Sequence, residues 1–306
     1  LDRRFGRQLS IRAHVPKENK VQHDEFFWIS TINKATVVIN RSEGLIDEAT
    51  AKLAAGGIDK VEKAAAADPA KRVKRYIDYE PMLIAATSPE VTLIHAGRSS
   101  QDILATANAG LNLERLTKIL AALSEVRYAL LELAEREKDT VVPAYTNGVQ
   151  AQPTLYSHYL LAQISVFGRD VERAFECIRR FDFCPMGSGV LNGTGWPLKV
   201  ERMAELLGFS RTFTNAFDAG QCAGNDLPLE MSQIATAAML HVNAFLADFM
   251  VQYATPHPWI RMESTNGEYR SSAMPQKRNP IGSEIVLACV KLTCHTLSGA
   301  VLPGHK

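Results

Sequence analysis

The chain has 306 residues, 46% of them hydrophobic and 22% charged, and its formal net charge is +1. This composition is that of a globular protein with a large core, and the balanced charge gives no reason to expect nucleic acid or an anionic membrane as a partner. No uninterrupted apolar run approaches the ~20 residues that span a bilayer. The first residues lack signal-peptide features, and the five cysteines form no C-x-x-C pair, so we expect a cytoplasmic location.

Helical periodicity dominates the chain, and period-two alternation is scarce. The predicted helices, in chain order, cover residues 25–42, 47–67, 102–139, 154–182 and 226–253. Glu43 and Gly44 separate the first two, and Asp102 is expected to cap the third. The last three far exceed the mean helix of about 11–12 residues. Their apolar stripes suit a bundle and exceed what one chain can bury, so we expect an all-α protein that oligomerises.

The composition changes near residue 108, from short elements to long helices. We therefore predict a helical N-terminal domain over 1–108 and a long-helix domain over 109–306. Two G-x-G triplets at 187–189 and 193–195 lack the G-x-G-x-x-G spacing, a Walker lysine and a preceding strand, which excludes a nucleotide loop. Histidine and acidic residues do not cluster at ligand spacing, so no metal is expected.

Three polar stretches lie at ends of the predicted long helices, where loops on a rigid scaffold often carry function. They cover residues 95–102, 145–153 and 271–280. In the third, Asn279 is a favoured N-cap residue and Pro280 suits the first turn of a following helix. A helix N-terminus beside Lys277 and serines is suited to bind a carboxylate. The alternative is a polar loop that precedes a core helix.

The third stretch, S-S-A-M-P-Q-K-R-N-P, resembles the signature loop of the aspartase/fumarase superfamily, the lyases that eliminate an amine or water to give fumarate or a related product. The first stretch, H-A-G-R-S-S-Q-D, is similar to H-x-G-R-S-R-N-D of the argininosuccinate lyase group, which residues 143–162 and 186–209 also follow. The resemblance spans roughly residues 25–300. It implies a long-helix bundle with a smaller helical N-terminal domain, no cofactor, a dicarboxylate substrate, and a homotetramer whose active sites are shared between subunits.

The resemblance also implies catalytic roles. Eliminating an amine from a succinyl group requires removal of a proton beside a carboxylate, and preorganised donors stabilise the negative charge that develops. Ser271 would abstract this proton, while Lys277 and Asn279 would hold the carboxylates; Ser272 and Met274 would line the substrate. Serine needs positive charge nearby to act as a base, and Lys277 is close in sequence. A loop hydroxyl bonded to its own backbone is the alternative for Ser271.

The other two polar stretches are expected to supply further contacts. Arg98 fits a carboxylate clamp, because a guanidinium binds a carboxylate through two parallel hydrogen bonds, and a surface salt bridge is the alternative. His95 would either assist the acid–base step or hydrogen-bond the loop. By resemblance, the remaining substrate contacts are Ser99, Ser100, Gln101, Thr146 and Gln150.

The chain departs from the family at three positions. Asn147 replaces a catalytic histidine implicated in protonating the leaving amine, and an amide cannot exchange a proton near neutral pH. Gln101 replaces a substrate-binding asparagine, and its S-Q-D context is closer to the carboxymuconate cycloisomerase branch. Arg270 replaces a glycine in a segment, 263–270, that we expect to be mobile. By resemblance, the family residues that recognise the arginine end of argininosuccinate would lie beyond residue 306.

The function expected on this basis is a carbon–nitrogen lyase that releases fumarate from an N-substituted aspartate. Argininosuccinate is the default substrate, which would place the enzyme in arginine biosynthesis. A cycloisomerase of the same fold is the first alternative, supported by Gln101. A catalytically silent structural homologue is the second, supported by Asn147 and opposed by the intact set of Ser271, Lys277 and Asn279.

Overall fold

The structure is a computed structural model that describes residues 23–260 and 269–279. Its helices are α1 (Glu25–Ser42), α2 (Glu48–Ala67), α3 (Tyr76–Ala86), α4 (Ser100–Arg136), α5 (Tyr156–Phe181), α6 (Val200–Leu207) and α7 (Ala223–Ala254). Its strands are β1 (Val141–Thr146), β2 (Val149–Leu155), β3 (Tyr269–Arg270) and β4 (Arg278–Asn279). The five predicted helices are confirmed to within a few residues, as is the all-α class. The sequence analysis missed α3, α6 and the β1–β2 hairpin, which occupies the polar stretch predicted as a loop.

The chain divides into two compact units, and each is discontinuous in sequence. Among the described residues, the first comprises 23–117 and 178–227, and the second comprises 118–177, 228–260 and 269–279. The boundary predicted at residue 108 falls inside α4. The division into domains at that residue stays a prediction.

Aspartate caps explain where the first two helices begin. Asp24 accepts the Phe27 N–H (3.0 Å) at the start of α1, and Asp47 accepts the Thr50 N–H (2.7 Å) at the start of α2. Arg72 also binds Asp24, through Nε (2.7 Å) and Nη2 (2.6 Å), so the cap is joined to the segment after α2. Trp28 of α1 is buried and packs against α4 so closely that a Cβ at Gly110 would overlap the indole ring.

The core of the second unit comes from α4, α5 and α7. Its buried members are Leu123, Leu130, Ala134, Leu160, Phe167 and Ala238. The same helices leave large apolar side chains exposed: Val126, Tyr128, Leu131, Leu161, Leu240 and Val251. By length and composition alone, residues 218–254 could cross a membrane, and only 11% of their most apolar stretch is buried within the chain. One such helix is weak evidence for a span, because an apolar face of this kind also suits a subunit interface.

Candidate active site

A reciprocal capping box begins α4. The Ser99 Oγ accepts the Gln101 N–H (3.2 Å), and Asp102 Oδ1 accepts the Ser99 N–H (3.0 Å). Ser99 is therefore the N-cap, and Asp102, which we had predicted there, occupies the third helical position. The correction follows from the S-x-x-D spacing, in which the first residue caps the helix and the fourth bonds back to it.

Asp102 also fixes the glycine-rich connection to the start of α4. Its carboxylate is fully buried, and Oδ2 accepts the N–H groups of Gly187 (3.2 Å) and Gly189 (3.1 Å). Both glycines have positive φ, 96° and 61°, a conformation that only glycine adopts readily. Burial raises the pKa of Asp102 above its ordinary value, and the three N–H donors and the charge of Arg98 offset only part of this rise. The glycines thus support a helix terminus, in agreement with the exclusion of a nucleotide loop.

The Arg98 guanidinium is held inside the first unit. Its exposure is only 8%, which excludes the surface salt bridge. Nη1 donates to Asn33 Oδ1 (2.9 Å) and Thr36 Oγ1 (3.0 Å), and Nη2 donates to the Tyr76 hydroxyl (3.1 Å) and His95 Nδ1 (3.4 Å). Within the described residues, no carboxylate lies at ion-pair distance from Arg98, and its Nε–H has no partner. The carboxylate clamp stays a prediction, because it would require Arg98 to give up internal hydrogen bonds.

His95 stacks on the Tyr76 ring with 4.8 Å between ring centroids. Because a guanidinium can only donate, His95 Nδ1 must accept from Arg98, and the ring proton then lies on Nε2. Burial, followed by the charge of Arg98, lowers the pKa of His95. The ring is therefore neutral at pH 7. Of the two roles considered for His95, this geometry favours hydrogen bonding within the loop, since a neutral imidazole is a poor proton donor to a leaving amine.

Ser100 and Gln101 line a cavity of about 110 Å³ in the first unit. The Gln101 side-chain amide donates to the Gly220 carbonyl (2.8 Å), which lies in a π-helical turn, Asp218–Cys222. Such turns occur frequently at functional sites. The other lining residues are Ile29, Lys74, Arg75, Tyr76, Ile77, Ile103, Leu104 and Ala107. The sequence analysis missed Lys74 and Tyr76, because they lie outside the three polar stretches.

Asn147 forms the tip of the β1–β2 hairpin. Thr146 pairs with Val149, which leaves Asn147 and Gly148 as a two-residue turn. Both have positive φ, 52° and 77°, as a type I′ turn requires. Asparagine is among the residues that adopt this conformation most readily, so the substitution of the family's histidine suits the turn. Its side chain is exposed.

Aromatic rings pack against this hairpin. Tyr145 stacks on Trp259 with 5.9 Å between centroids, and Trp259 meets Tyr156 edge-on at 6.0 Å. The Gln150 side-chain amide donates to the Tyr145 hydroxyl (3.1 Å). Gln150, a predicted substrate contact, therefore also stabilises the strand that carries Thr146.

The signature segment folds as a tight loop between β3 and β4. The Ser271 N–H donates to the Lys277 carbonyl (3.3 Å), and the Lys277 N–H donates to the Met274 carbonyl (2.9 Å). Asn279 pairs with Tyr269 in the short ladder. The helix predicted from Pro280 and residues 263–268 of the segment predicted to be mobile, 263–270, lie outside the described residues.

The Ser271 hydroxyl oxygen accepts the Met274 N–H (3.1 Å). This contact matches the reading of Ser271 as a loop hydroxyl bonded to its own backbone. The same contact would also help Ser271 act as a base, because an N–H donor directed at Oγ stabilises the deprotonated serine. Ser272, Met274 and Lys277 are exposed around it. The loop thus places a hydroxyl, an ammonium and further exposed side chains on one short segment.

The predicted residues fall into two groups. His95 and residues 98–101 come together in the first unit, whereas Thr146, Asn147, Gln150 and the signature segment belong to the second. In the described part of the chain, no three His, Cys, Asp or Glu side chains form a group that could hold a metal ion.

Comparison with known proteins identifies the family. The lyase family model matches residues 29–293. The argininosuccinate lyase of Pelotomaculum thermopropionicum is 34% identical over 211 residues, which are 69% of this chain and 45% of that protein. The argininosuccinate lyase of a Geobacillus species is 33% identical over the same length. The chain spans about half the length of the curated relatives it matches.

Solved structures agree on the fold. A variant of EDDS lyase with bound fumarate is 26% identical, with a TM-score of 0.82 over 90% of this chain and 54% of that one. The 3-carboxy-cis,cis-muconate lactonizing enzyme of Pseudomonas putida is 19% identical, with a TM-score of 0.70 over 90% of this chain and 62% of that one, and shows the fold alone. The chain therefore belongs to the lyase family of the aspartase/fumarase superfamily.

Proposed function

We propose that the protein is a carbon–nitrogen lyase that releases fumarate from an N-substituted aspartate. One observation carries the proposal: the signature segment of the lyase family folds so that the Met274 N–H donates to Ser271 Oγ. Identities of 33–34% to argininosuccinate lyases support the amine as the leaving group.

In the proposed reaction, Ser271 Oγ takes the proton from the carbon beside one carboxylate. The electron pair of that C–H bond forms the double bond, and the C–N bond breaks with its pair on nitrogen. Lys277 and Asn279 bind the substrate carboxylates, where charge accumulates before the bond breaks. One well-placed donor at such a charge contributes about 3–4 kcal/mol to catalysis. The Met274 N–H stabilises the serine alkoxide that starts the cycle.

The replacement of histidine by Asn147 is compatible with this reaction. An alkylamine with a pKa near that of lysine, about 10.4, is protonated at neutral pH. The substrate nitrogen therefore carries its proton before the C–N bond breaks and departs as a neutral amine. Asn147 then has a binding role at the hairpin tip, beside Thr146, and no proton passes through it.

A homotetramer in the cytoplasm, with active sites shared between subunits, completes the proposal. The exposed apolar side chains of α4, α5 and α7 supply the surface, for example Tyr128 at 62%, Leu240 at 54% and Val251 at 63% exposure. In such an assembly, the two groups of predicted residues can come from different subunits. Argininosuccinate is the reference substrate, with arginine biosynthesis as the corresponding role.

The test is fumarate formation, followed by ultraviolet absorbance, from argininosuccinate and a panel of N-substituted aspartates. Ser271→Ala should lower kcat about 100- to 10,000-fold, as loss of a proton-transfer group does. Ser165→Ala is the matched control, because the Ser165 hydroxyl is exposed and donates to the Leu161 carbonyl of its own helix. Equal activity of wild type and Ser271→Ala would contradict the assignment of the base.

A cycloisomerase is the second candidate, favoured by the S-Q-D sequence that ends in Gln101 and Asp102 and by the fold shared with the muconate enzyme. The same protein incubated with 3-carboxy-cis,cis-muconate distinguishes the two reactions. Lactone formation without fumarate release from any aspartate derivative would replace the lyase proposal with this one.

A further inference from the structure

We propose that Gln101 is a positioning residue. Its side-chain amide fastens the π-helical turn, Asp218–Cys222, to the start of α4 and thereby fixes where Ser100 is presented. The resemblance implies a substrate contact at this position instead. All of the contacts that carry the inference lie within the first unit, and only its kinetic test rests on the proposed function.

The orientation of the Gln101 amide follows from its partner. The Gly220 carbonyl can only accept a hydrogen bond, so the NH₂ group of Gln101, and not its oxygen, faces that carbonyl at 2.8 Å. A substrate carboxylate, which also can only accept, would need the same NH₂ group. The backbone of Gln101 is held separately, because its N–H donates to Ser99 Oγ (3.2 Å) in the capping box. The side chain therefore bridges from a fixed helix start to the turn.

The π-helical turn packs against the glycine-rich connection, residues 187–195. A Cβ at Gly220 would lie 2.8 Å from the Val190 carbonyl oxygen, so the two backbones approach this closely only because the residue is glycine. The Gln221 side-chain amide donates to the same oxygen (3.0 Å). The turn is thus joined to the connection by backbone packing and by a side-chain hydrogen bond.

Together, these contacts close a ring of three segments. Asp102 Oδ2 binds the glycine-rich connection to the start of α4 through two glycine N–H groups. Gln221 binds the connection to the π-helical turn, and Gln101 binds the turn back to α4. Loss of the Gln101 bond opens the ring beside Ser100. The Ser100 side chain is exposed, and within the described residues its hydroxyl has no hydrogen-bond partner, which leaves it available to a substrate.

Side-chain length decides whether this bridge can form. Asparagine, the substrate-binding residue that the resemblance implies here, is shorter than glutamine by one carbon–carbon bond, about 1.5 Å. Starting from the observed 2.8 Å, its amide nitrogen would lie farther from the Gly220 carbonyl than the ~3.2 Å limit of such a hydrogen bond. Gln101→Asn therefore keeps an amide for a substrate but removes the bridge to the turn.

The experiment compares Gln101→Asn with Gln101→Met in the full-length protein, using the N-substituted aspartate that wild type turns over best. Methionine keeps the length of glutamine but has no donor. A positioning role predicts that KM rises about 2- to 10-fold in both variants, the factor that corresponds to one hydrogen bond, while kcat changes less than about twofold. A substrate contact predicts that asparagine keeps the wild-type KM and methionine does not.

Asn108→Leu is the matched control. Asn108 lies about two turns further along α4, is exposed, and makes no side-chain hydrogen bond within the described residues. Its replacement removes an amide from the same helix without touching the turn, so KM should stay as in wild type.

Hydrogen exchange separates failure of this inference from failure of the lyase proposal. The backbone amides of residues 218–223 should exchange about 2- to 10-fold faster in both Gln101 variants than in wild type and Asn108→Leu, whether or not any substrate turns over. Unchanged exchange, or a wild-type KM in Gln101→Asn, would overturn the positioning role and leave the lyase intact. Faster exchange without fumarate release by any of these proteins would support the bridge and contradict the lyase.

Discussion

Substitution of Asp102 by asparagine tests whether the start of α4 is fixed by one buried carboxylate. The two oxygens accept three N–H groups, from Ser99, Gly187 and Gly189. Asparagine has the same shape but only one acceptor oxygen. If that oxygen faces the glycines, the new NH₂ group opposes the Ser99 N–H; if it faces Ser99, both glycine donors lose their partner.

A hydrogen bond to a charged group contributes about 1.5–3 kcal/mol, and a buried donor left without a partner costs about 1–3 kcal/mol. We therefore expect Asp102→Asn to lower the free energy of unfolding by about 2–4 kcal/mol. Urea denaturation followed by circular dichroism measures this change. The control is Glu201→Gln, which removes an acidic side chain from the first turn of α6, where it is exposed, and should change stability by about 0.5 kcal/mol or less.

The same variant should lose activity, because Ser100 and Gln101 depend on the helix start for their positions. A loss in kcat/KM at temperatures where the variant is still folded is expected. If Asp102→Asn were as stable as Glu201→Gln, the carboxylate would not fix the glycine connection, and the account of this terminus would be wrong.

Three further predictions concern the fold. Burial raises the pKa of Asp24, but the bonds from Arg72 and from the Phe27 N–H lower it more, so the folded pKa lies below the ordinary value of 3.8. The stability that this group contributes is fully present well above 3.8 and is lost as the pH falls through the lower pKa of the folded state. Asp24→Asn should therefore cost about 1–2 kcal/mol in urea unfolding at pH 7 and progressively less between pH 5 and 3, whereas a pH-independent cost would refute the assignment. Gly110→Ala should destabilise the fold by more than about 1 kcal/mol, because the added methyl group overlaps the buried indole of Trp28. Gly56→Ala is the control: its methyl group meets open space in α2, and it should stabilise the fold by about 0.5–1 kcal/mol. Equal shifts in melting temperature for the two variants would contradict this packing. Leu240→Asp should shift the molar mass measured by light scattering from that of a tetramer toward that of a monomer. Leu93 is equally exposed, at 54%, so Leu93→Asp is the control and should leave the molar mass unchanged. A tetramer in both variants would exclude α7 from the interface.

Much of the helical framework could be predicted because its signals are local. Asp24 and Asp47 lie immediately before apolar periodic segments, and both are observed as caps. The hairpin was missed although Asn147-Gly148 is a strong hairpin signal. Proline is unfavourable within strands, yet the structure pairs Pro143 with Pro153 across the ladder.

The site was harder to predict where its contacts are distant in sequence. Arg98 was recognised as important, but its burial depends on Asn33 and Thr36, which lie 65 and 62 residues away in the chain. The helical periodicity of the sequence cannot predict contacts between residues so far apart in the chain. Likewise, the bond from the Gln101 side chain to the Gly220 carbonyl spans 119 residues. The sequence identifies Arg98 and Gln101 as polar residues of the site. It does not show which of their N–H donors are already engaged in hydrogen bonds within the fold.

The central claim is that Ser271 initiates elimination of an amine. The most direct test is proton NMR of an N-substituted aspartate incubated with the protein in deuterium oxide. The spectra follow the carbon-bound protons of the substrate and the signals of both products at the same time. The account predicts that the vinyl signal of fumarate and the signals of the free amine grow in equal amounts with wild type and are absent with Ser271→Ala. Unchanged substrate with folded wild-type protein, or equal fumarate formation by Ser271→Ala, would contradict it.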